Sequence, residues 1–174
     1  MPVFFITVHT YRSWSEANPR GYIQRGEHGY KKPNEGLAAE RSGRAKHPPT
    51  RLSVQQQQLV LDGLREICNT LEVKPYAASC TPTHWHLLAG WIEDYAALTC
   101  GVQPAQQQAK ALVTRLKRVV GSKLSAHRGS TGNRWFSRGW DIEPVANQGH
   151  FDHLIEAYLP KHAAEGGCVE IWGA

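Results

Sequence analysis

The chain has 174 residues, a formal net charge of +5 at neutral pH and 41% hydrophobic residues, enough for one domain spanning 1–174 whose core needs no disulfide staples. The positive excess points to an anionic partner. Cys68, Cys80, Cys100 and Cys168 are widely spaced, contain no Cys-x-x-Cys pair and follow no secretory leader, so reduced thiols in a cytoplasm are expected. No apolar run approaches the roughly 20 residues that cross a bilayer, which excludes a membrane-spanning helix.

The apolar run Val3 to Val8 predicts a first strand. From Asn18 to Arg51 the sequence is rich in Gly, Pro and charge and shows no sustained period, so a long loop or insertion is expected. It carries Arg20, Arg25, Lys31, Lys32, Arg41, Arg44, Lys46 and Arg51 against Glu27, Glu35 and Glu40. Such a loop is either functional or simply solvated and mobile. Ser53 can then cap a helix in which Leu59, Val60, Leu64, Ile67, Cys68 and Leu71 recur at three- and four-residue spacings.

Val73 to Thr81 and His84 to Trp91 read as two strands of an antiparallel hairpin that turns at Pro82. In the second, His84 and His86 point to one face while Trp85 packs on the other. Two neutral imidazoles on one rigid face make half of a metal site, although a His-x-His strand can also be an ordinary surface pair. His9, on the first strand, would lie near them.

Pro104 to His127 predicts a second helix, with Leu112, Val113, Leu116, Val119, Val120 and Leu124 on one face and Lys110, Arg115, Lys117, Arg118 and Lys123 on the other. No acidic residue occurs in that segment, so a phosphate-facing helix is expected rather than a mixed-charge solvated one. After a linker from Arg128 to Asn133, Arg134 to Val145 reads as a bent strand or short hairpin. Its Trp135 and Trp140 interleave with Arg134 and Arg138. Indoles stack on unpaired bases while guanidinium groups hold phosphates, and at least one of these tryptophans is expected in the core. A last helix runs from Gln148 through Leu159, followed by Gly166-Gly167 and a short tail from Cys168 to Trp172. The order strand, helix, strand, strand, helix, strand, helix predicts an α+β, ferredoxin-like split βαβ fold, an antiparallel sheet with helices on one face.

Tyr158 and His162 stand four residues apart in the last helix, so they share a face if the helix continues. A phenol can attack phosphorus when a metal polarises the phosphate, and His162 could complete the pair formed by His84 and His86. Pro160, between them, removes a helical hydrogen bond and predicts a kink.

Pro82 to Leu88 resembles the Pro-x-His-hydrophobic-His-hydrophobic strand of single-tyrosine HUH transposases, including the REP-associated tyrosine transposases. Tyr158 with His162 one turn later, and the basic helix before Asn133-Arg134-Trp135, are similar to that family's layout. The resemblance covers most of the chain in outline and two short motifs in detail. It implies an HUH endonuclease core, a divalent ion (Mg²⁺ or Mn²⁺) on His84, His86 and His162, and Tyr158 as nucleophile. It further implies cleavage and joining of single-stranded or hairpin DNA through a 5′-phosphotyrosine, no nucleotide cofactor, a homodimer as one possible state, and a prokaryotic cytoplasmic protein that meets the nucleoid when bound to DNA. The Asn18 to Arg51 segment lies outside the minimal family core and would help to hold DNA. A third imidazole also suits Mn²⁺ or Zn²⁺ better than Mg²⁺.

Three other readings compete. Cys80, His84, His86 and Cys100 could form a structural zinc site, but their spacing fits no standard finger. A nucleobase deaminase is excluded because the His-x-Glu and Cys-x-x-Cys signature is absent. A non-catalytic or domesticated nucleic-acid-binding protein of the same fold would use the basic helix and tryptophans without Tyr158 or the histidine pair.

Overall fold

A computed structural model describes residues 1–22, 29, 31–91, 104–129 and 134–173. Arg25, Glu27, Cys100 and most of the linker before Arg134, Asn133 included, lie outside the described residues. The elements are β1 (Val3–His9), α1 (Glu35–Gly43), α2 (Val54–Thr70), β2 (Lys74–Cys80), β3 (His84–Gly90), α3 (Pro104–Arg128), β4 (Asp141–Pro144), α4 (Gln148–His153), α5 (Lys161–Ala164) and β5 (Cys168–Ile171), with a π-turn over Leu154–Tyr158 between α4 and α5.

The strands form one sheet in the order β4-β1-β3-β2-β5, with every neighbouring pair antiparallel. The first four strands and the crossover helices α2 and α3 give the ferredoxin-like split βαβ arrangement, and β5 is added beside β2. β3 is central and paired on both sides, so its residues 85–90 are all buried.

Alternation along the strands divides the interior in two. Ile6, Val8, Trp85 and Leu87 pack against Val60, Leu64, Leu116 and Val120 of α2 and α3. Phe5, Ala77 and Leu88 face the other way, against Leu154 and Leu159 of the C-terminal helical segment. The two long helices therefore share one face, as expected, and the segment carrying Tyr158 covers the opposite one.

The α2 periodicity works because Ser53 supplies a full capping box with Gln56, which satisfies two N-terminal backbone donors reciprocally. Three expectations need correction. The 18–51 segment contains α1, which buries no residue and so leaves no apolar period in the sequence. It is held by the Asn34 cap (Leu37 N–H to Oδ1, 2.9 Å), an Arg44–Glu40 pair at 2.9 Å and an Arg41–Glu16 pair. The short tail, absent from the predicted element order, contains a strand: Cys168–Ile171 pairs with β2. The bent 134–145 stretch is regular only over Asp141–Pro144, with Phe136 bridging Thr10 singly upstream.

Leu64 is fully buried, whereas Val54 on the same helix is 66% exposed. Leu64→Ala is expected to lower unfolding free energy by about 2–5 kcal/mol and Val54→Ala by less than about 0.5 kcal/mol, measured by urea denaturation.

Candidate functional site

Three histidines from two elements converge on the sheet face opposite α2 and α3. His84 and His86 come from β3, and His162 comes from the first turn of α5. One ring nitrogen from each lies within 4.8 Å of the others. His86 and His162 are each 3% exposed and their rings stack at 4.9 Å, while His84 is half-buried, 4.8 Å from the His86 ring.

Each imidazole is oriented through Nδ1. His86 Nδ1 lies 2.9 Å from Thr7 Oγ1 on β1, its register neighbour. His84 Nδ1 lies 3.0 Å from both Thr81 Oγ1 and Thr83 Oγ1 in the preceding turn. His162 Nδ1 donates to Glu165 Oε2 at 2.8 Å. A carboxylate can only accept, so Glu165 fixes the proton on Nδ1 and leaves the Nε2 lone pair of a neutral ring free. Among the described residues, His86 Nε2 and His162 Nε2 are buried without a hydrogen-bond partner, as is Ser79 Oγ opposite His86 on β2. Three oriented imidazoles with converging nitrogens, two of them buried and unsatisfied at Nε2, form a group that could hold a metal ion.

Electrostatics keep the ring pair on β3 in the ligating form. Burial pushes His84 down to about 4 and His86 down to about 2, and the neighbouring histidines add to both effects. His9 is also lowered by burial, against the pull of Asp141. Its ring sits 5.6 Å from His84 and 5.4 Å from Trp14, beside the three-histidine group and outside it.

Tyr158 adjoins this group, with ring centroids 5.6 Å from His86, 5.3 Å from His162 and 5.5 Å from Phe5. Burial raises its phenol above the usual range and Glu165 adds to the rise, while Arg20 opposes it. Lys161 Nζ lies 3.7 Å from the ring centroid. The kink expected at Pro160 is absorbed by the π-turn. Leu159 N–H bonds Leu154 O at 2.9 Å, five residues back, and Pro160 itself keeps helical angles (φ −60°, ψ −30°). The wider turn accommodates the ring that would otherwise press on the preceding turn, and His162 is delivered to the β3 pair. Gly167 completes the placement: a Cβ there would come within 2.7 Å of His162 O and 2.8 Å of Cys80 O.

The basic and aromatic residues picked from sequence do not gather here. α3 packs on the far face of the sheet. Lys110, Arg115 and Arg118 are exposed on it. Lys123 instead pairs with Glu66 of α2 at 2.5 Å, a partner that the segment's own composition hides. Lys117 donates to the carbonyls of Ser137, Arg138 (3.2 Å) and Gly139 (3.4 Å), and burial lowers its pKa. Trp135 is 5% exposed, with its indole N–H bonded to Ser125 Oγ at 2.8 Å, so it is core and offers no stacking face. Trp140 is half-buried against the same core. Arg138 is exposed, and the Arg134 guanidinium lies over the Tyr11 ring at 5.8 Å. Cys80 points into the α2–α3 core, opposite the histidines, which removes it from a shared zinc site.

Thr7, Glu165, Lys161 and Arg20 were not singled out as site residues from the sequence. Glu165 had a readable signal, three residues after His162 on a helical spacing, whereas Thr7 is found only through strand register. Among the described residues no helix is long and apolar enough to cross a membrane.

No family model matches the sequence, and no curated protein matches it. A solved structure, a REP-associated tyrosine transposase bound to a REP hairpin, is similar over 95% of this chain and 68% of its own, at 10% identity and a TM-score of 0.48.

Because His84 and His86 are held below the unfolded value of about 6.5, the unfolded chain takes up protons first on acidification. Stability is expected to be full above about pH 6.5 and to fall as pH drops toward 4. The slope is at most about 1.4 kcal/mol per pH unit for each ring, less for half-exposed His84. Denaturation of metal-free protein at a series of pH values measures it. Gly167→Ala is expected to cost about 1–3 kcal/mol by overpacking two backbone carbonyls, measured by thermal or urea unfolding.

Proposed function

We propose that the chain is a metal-dependent nuclease and strand transferase of the HUH type acting on single-stranded or hairpin DNA, with Tyr158 as nucleophile and His84, His86 and His162 as ligands of a divalent ion. The observation that carries this reading is the convergence of three oriented imidazoles, with nitrogens within 4.8 Å of one another, beside a half-exposed tyrosine. The ion would supply Lewis-acid polarisation of the scissile phosphate.

The remaining chemistry belongs to the chain. The Tyr158 Oη–P bond forms as the P–O3′ bond breaks, leaving a 5′-phosphotyrosine and a free 3′-hydroxyl. The phenol proton passes to solvent and the departing O3′ acquires one. Return of a 3′-hydroxyl to the same phosphorus reverses the bond changes and joins strands, so no nucleotide cofactor is consumed. Burial holds Tyr158 as a neutral phenol at rest. Lys161 against its ring and Arg20 nearby supply positive charge that favours the phenolate as it develops.

Incubation with hairpin-bearing single-stranded oligonucleotides and Mn²⁺ is expected to give a covalent protein–DNA adduct on a denaturing gel. Chelation of the ion and Tyr158→Phe are each expected to abolish it, with DNA binding retained by the variant. An adduct that survives Tyr158→Phe overturns the assignment of nucleophile. DNA binding with no adduct on any substrate favours the non-catalytic binding protein.

A further inference from the structure

The end of the sheet where β1 leaves and β3 begins carries a second charged feature. Residues 47–51, the start of α2, the end of α3 and Arg134-Trp135 enclose a cleft of about 300 Å³. Arg51, Arg128, Arg134 and His47 line it, and no carboxylate does. Among the described residues none of these three guanidinium groups forms an ion pair, although the basic side chains Arg41, Arg44 and Lys123 all do. Like charges gathered from three separate chain segments repel, and a surface that leaves them uncompensated is suited to an anion with several charges.

The cleft is rigidly tied to the histidines. Thr10 is fully buried, and its hydroxyl reaches both Thr50 O at 2.7 Å in the cleft wall and Thr83 O at 3.0 Å. Thr83 Oγ1 in turn lies 3.0 Å from His84 Nδ1. Thr50 Oγ1 also donates to Arg134 O at 3.0 Å, and buried Trp135 backs the cleft. A chain of short polar contacts thus ties the backbone at Thr50 and Arg134 to the turn that carries His84.

We infer that Arg51, Arg128 and Arg134 form a phosphodiester subsite that grips the DNA strand flanking the phosphate attacked at the histidine site. The subsite rests on the proposed nuclease reading for its substrate. It assigns to the 18–51 segment, through Arg51, a positioning role for the strand, and it moves the main phosphate contact away from the outer face of α3. It differs from the catalytic centre in having no group that touches the reacting atoms.

The test uses the full chain, a labelled single-stranded oligonucleotide carrying a hairpin, and anisotropy titrations over a series of salt concentrations. The triple variant Arg51→Gln/Arg128→Gln/Arg134→Gln is compared with Arg65→Gln/Lys74→Gln, which removes exposed positive charge from other surfaces. Binding by the cleft variant is expected to weaken at least tenfold at low salt, with the log–log salt slope reduced by about two, as for three lost single-strand phosphate contacts. The control variant is expected to keep the slope of the unmodified protein. Unchanged affinity and slope in the cleft variant, equal losses in both variants, or no DNA binding by the unmodified protein each overturn the inference. Should the triple variant fail to fold by circular dichroism, Arg128→Gln alone is expected to lower the slope by about 0.7, and no change overturns the inference. Adduct formation with an unaltered slope in the cleft variant defeats the subsite and leaves the nuclease reading standing. A cleft-specific loss of slope without any adduct from the unmodified protein does the reverse.

Discussion

Pro160 has no N–H to donate, and the arrangement of the candidate site follows from how the C-terminal helix deals with that deficit. The chain closes a five-residue turn from Leu154 to Leu159 and then continues in helical angles through Pro160. The insertion changes the angular position of everything beyond it relative to α4. His162 thereby comes to lie under His86, ring on ring, while Tyr158 stays edge-on to both histidines. A regular α-helix would press the proline ring on the carbonyl four residues back, and a helix that stopped there would release His162 from the sheet. The turn at Gly166 (φ +77°) and the close approach at Gly167 then return the chain to β2 directly behind His162. The same short stretch therefore delivers a ligand-type residue and anchors the added edge strand.

The central position of β3 supplies the other half. A strand paired on both sides cannot shift register without reversing every side chain between the two cores. Trp85 and Leu87 lock one face under α2 and α3, so His84 and His86 are held on the other. That division also explains why charge and chemistry separate. The exposed cations of α3 occupy the far side of the sheet, and two of its lysines serve the fold, Lys117 by gathering three carbonyls and Lys123 by pairing with α2. Positive charge near the histidines comes instead from Lys161, and Arg20 of the 18–51 segment acts on Tyr158.

The parts of this structure legible in the sequence are those with a strong local period or a hard steric rule. The α2 and α3 stripes, the β2–β3 hairpin at Pro82 and the shared face of His84 and His86 all belong to that group. α1 was not legible because it buries nothing and owes its existence to a cap and ion pairs. β5 is four residues on an edge, too short for an alternation to stand out. Trp135 shows the limit of reading composition alone. Interleaved Arg and Trp suggest a stacking surface, yet its indole is bonded to Ser125 in the core. Thr7 is invisible without the register that sets it opposite His86. Pro160 was readable as a problem, but its resolution depends on tertiary packing of Leu154 and Leu159 against Phe5 and Leu88.

Packing alone does not account for the histidines. A buried polar atom without a partner costs about 1–3 kcal/mol, and this face of the sheet holds His86 Nε2, His162 Nε2 and Ser79 Oγ in that condition among the described residues. Apolar residues of similar volume would fill the same space between Phe5 and Leu159 without that cost. The opposite nitrogens are nevertheless satisfied with care, by Thr7 from one strand and Glu165 from the next turn. Glu165 is held below the ordinary carboxylate range chiefly by its bond from His162, so it remains an acceptor and keeps the His162 proton on Nδ1. Orientation of the rings is thus stabilised while their inward nitrogens are left unpaired. A structural role needs the first property and gains nothing from the second, whereas ligation of a cation needs both.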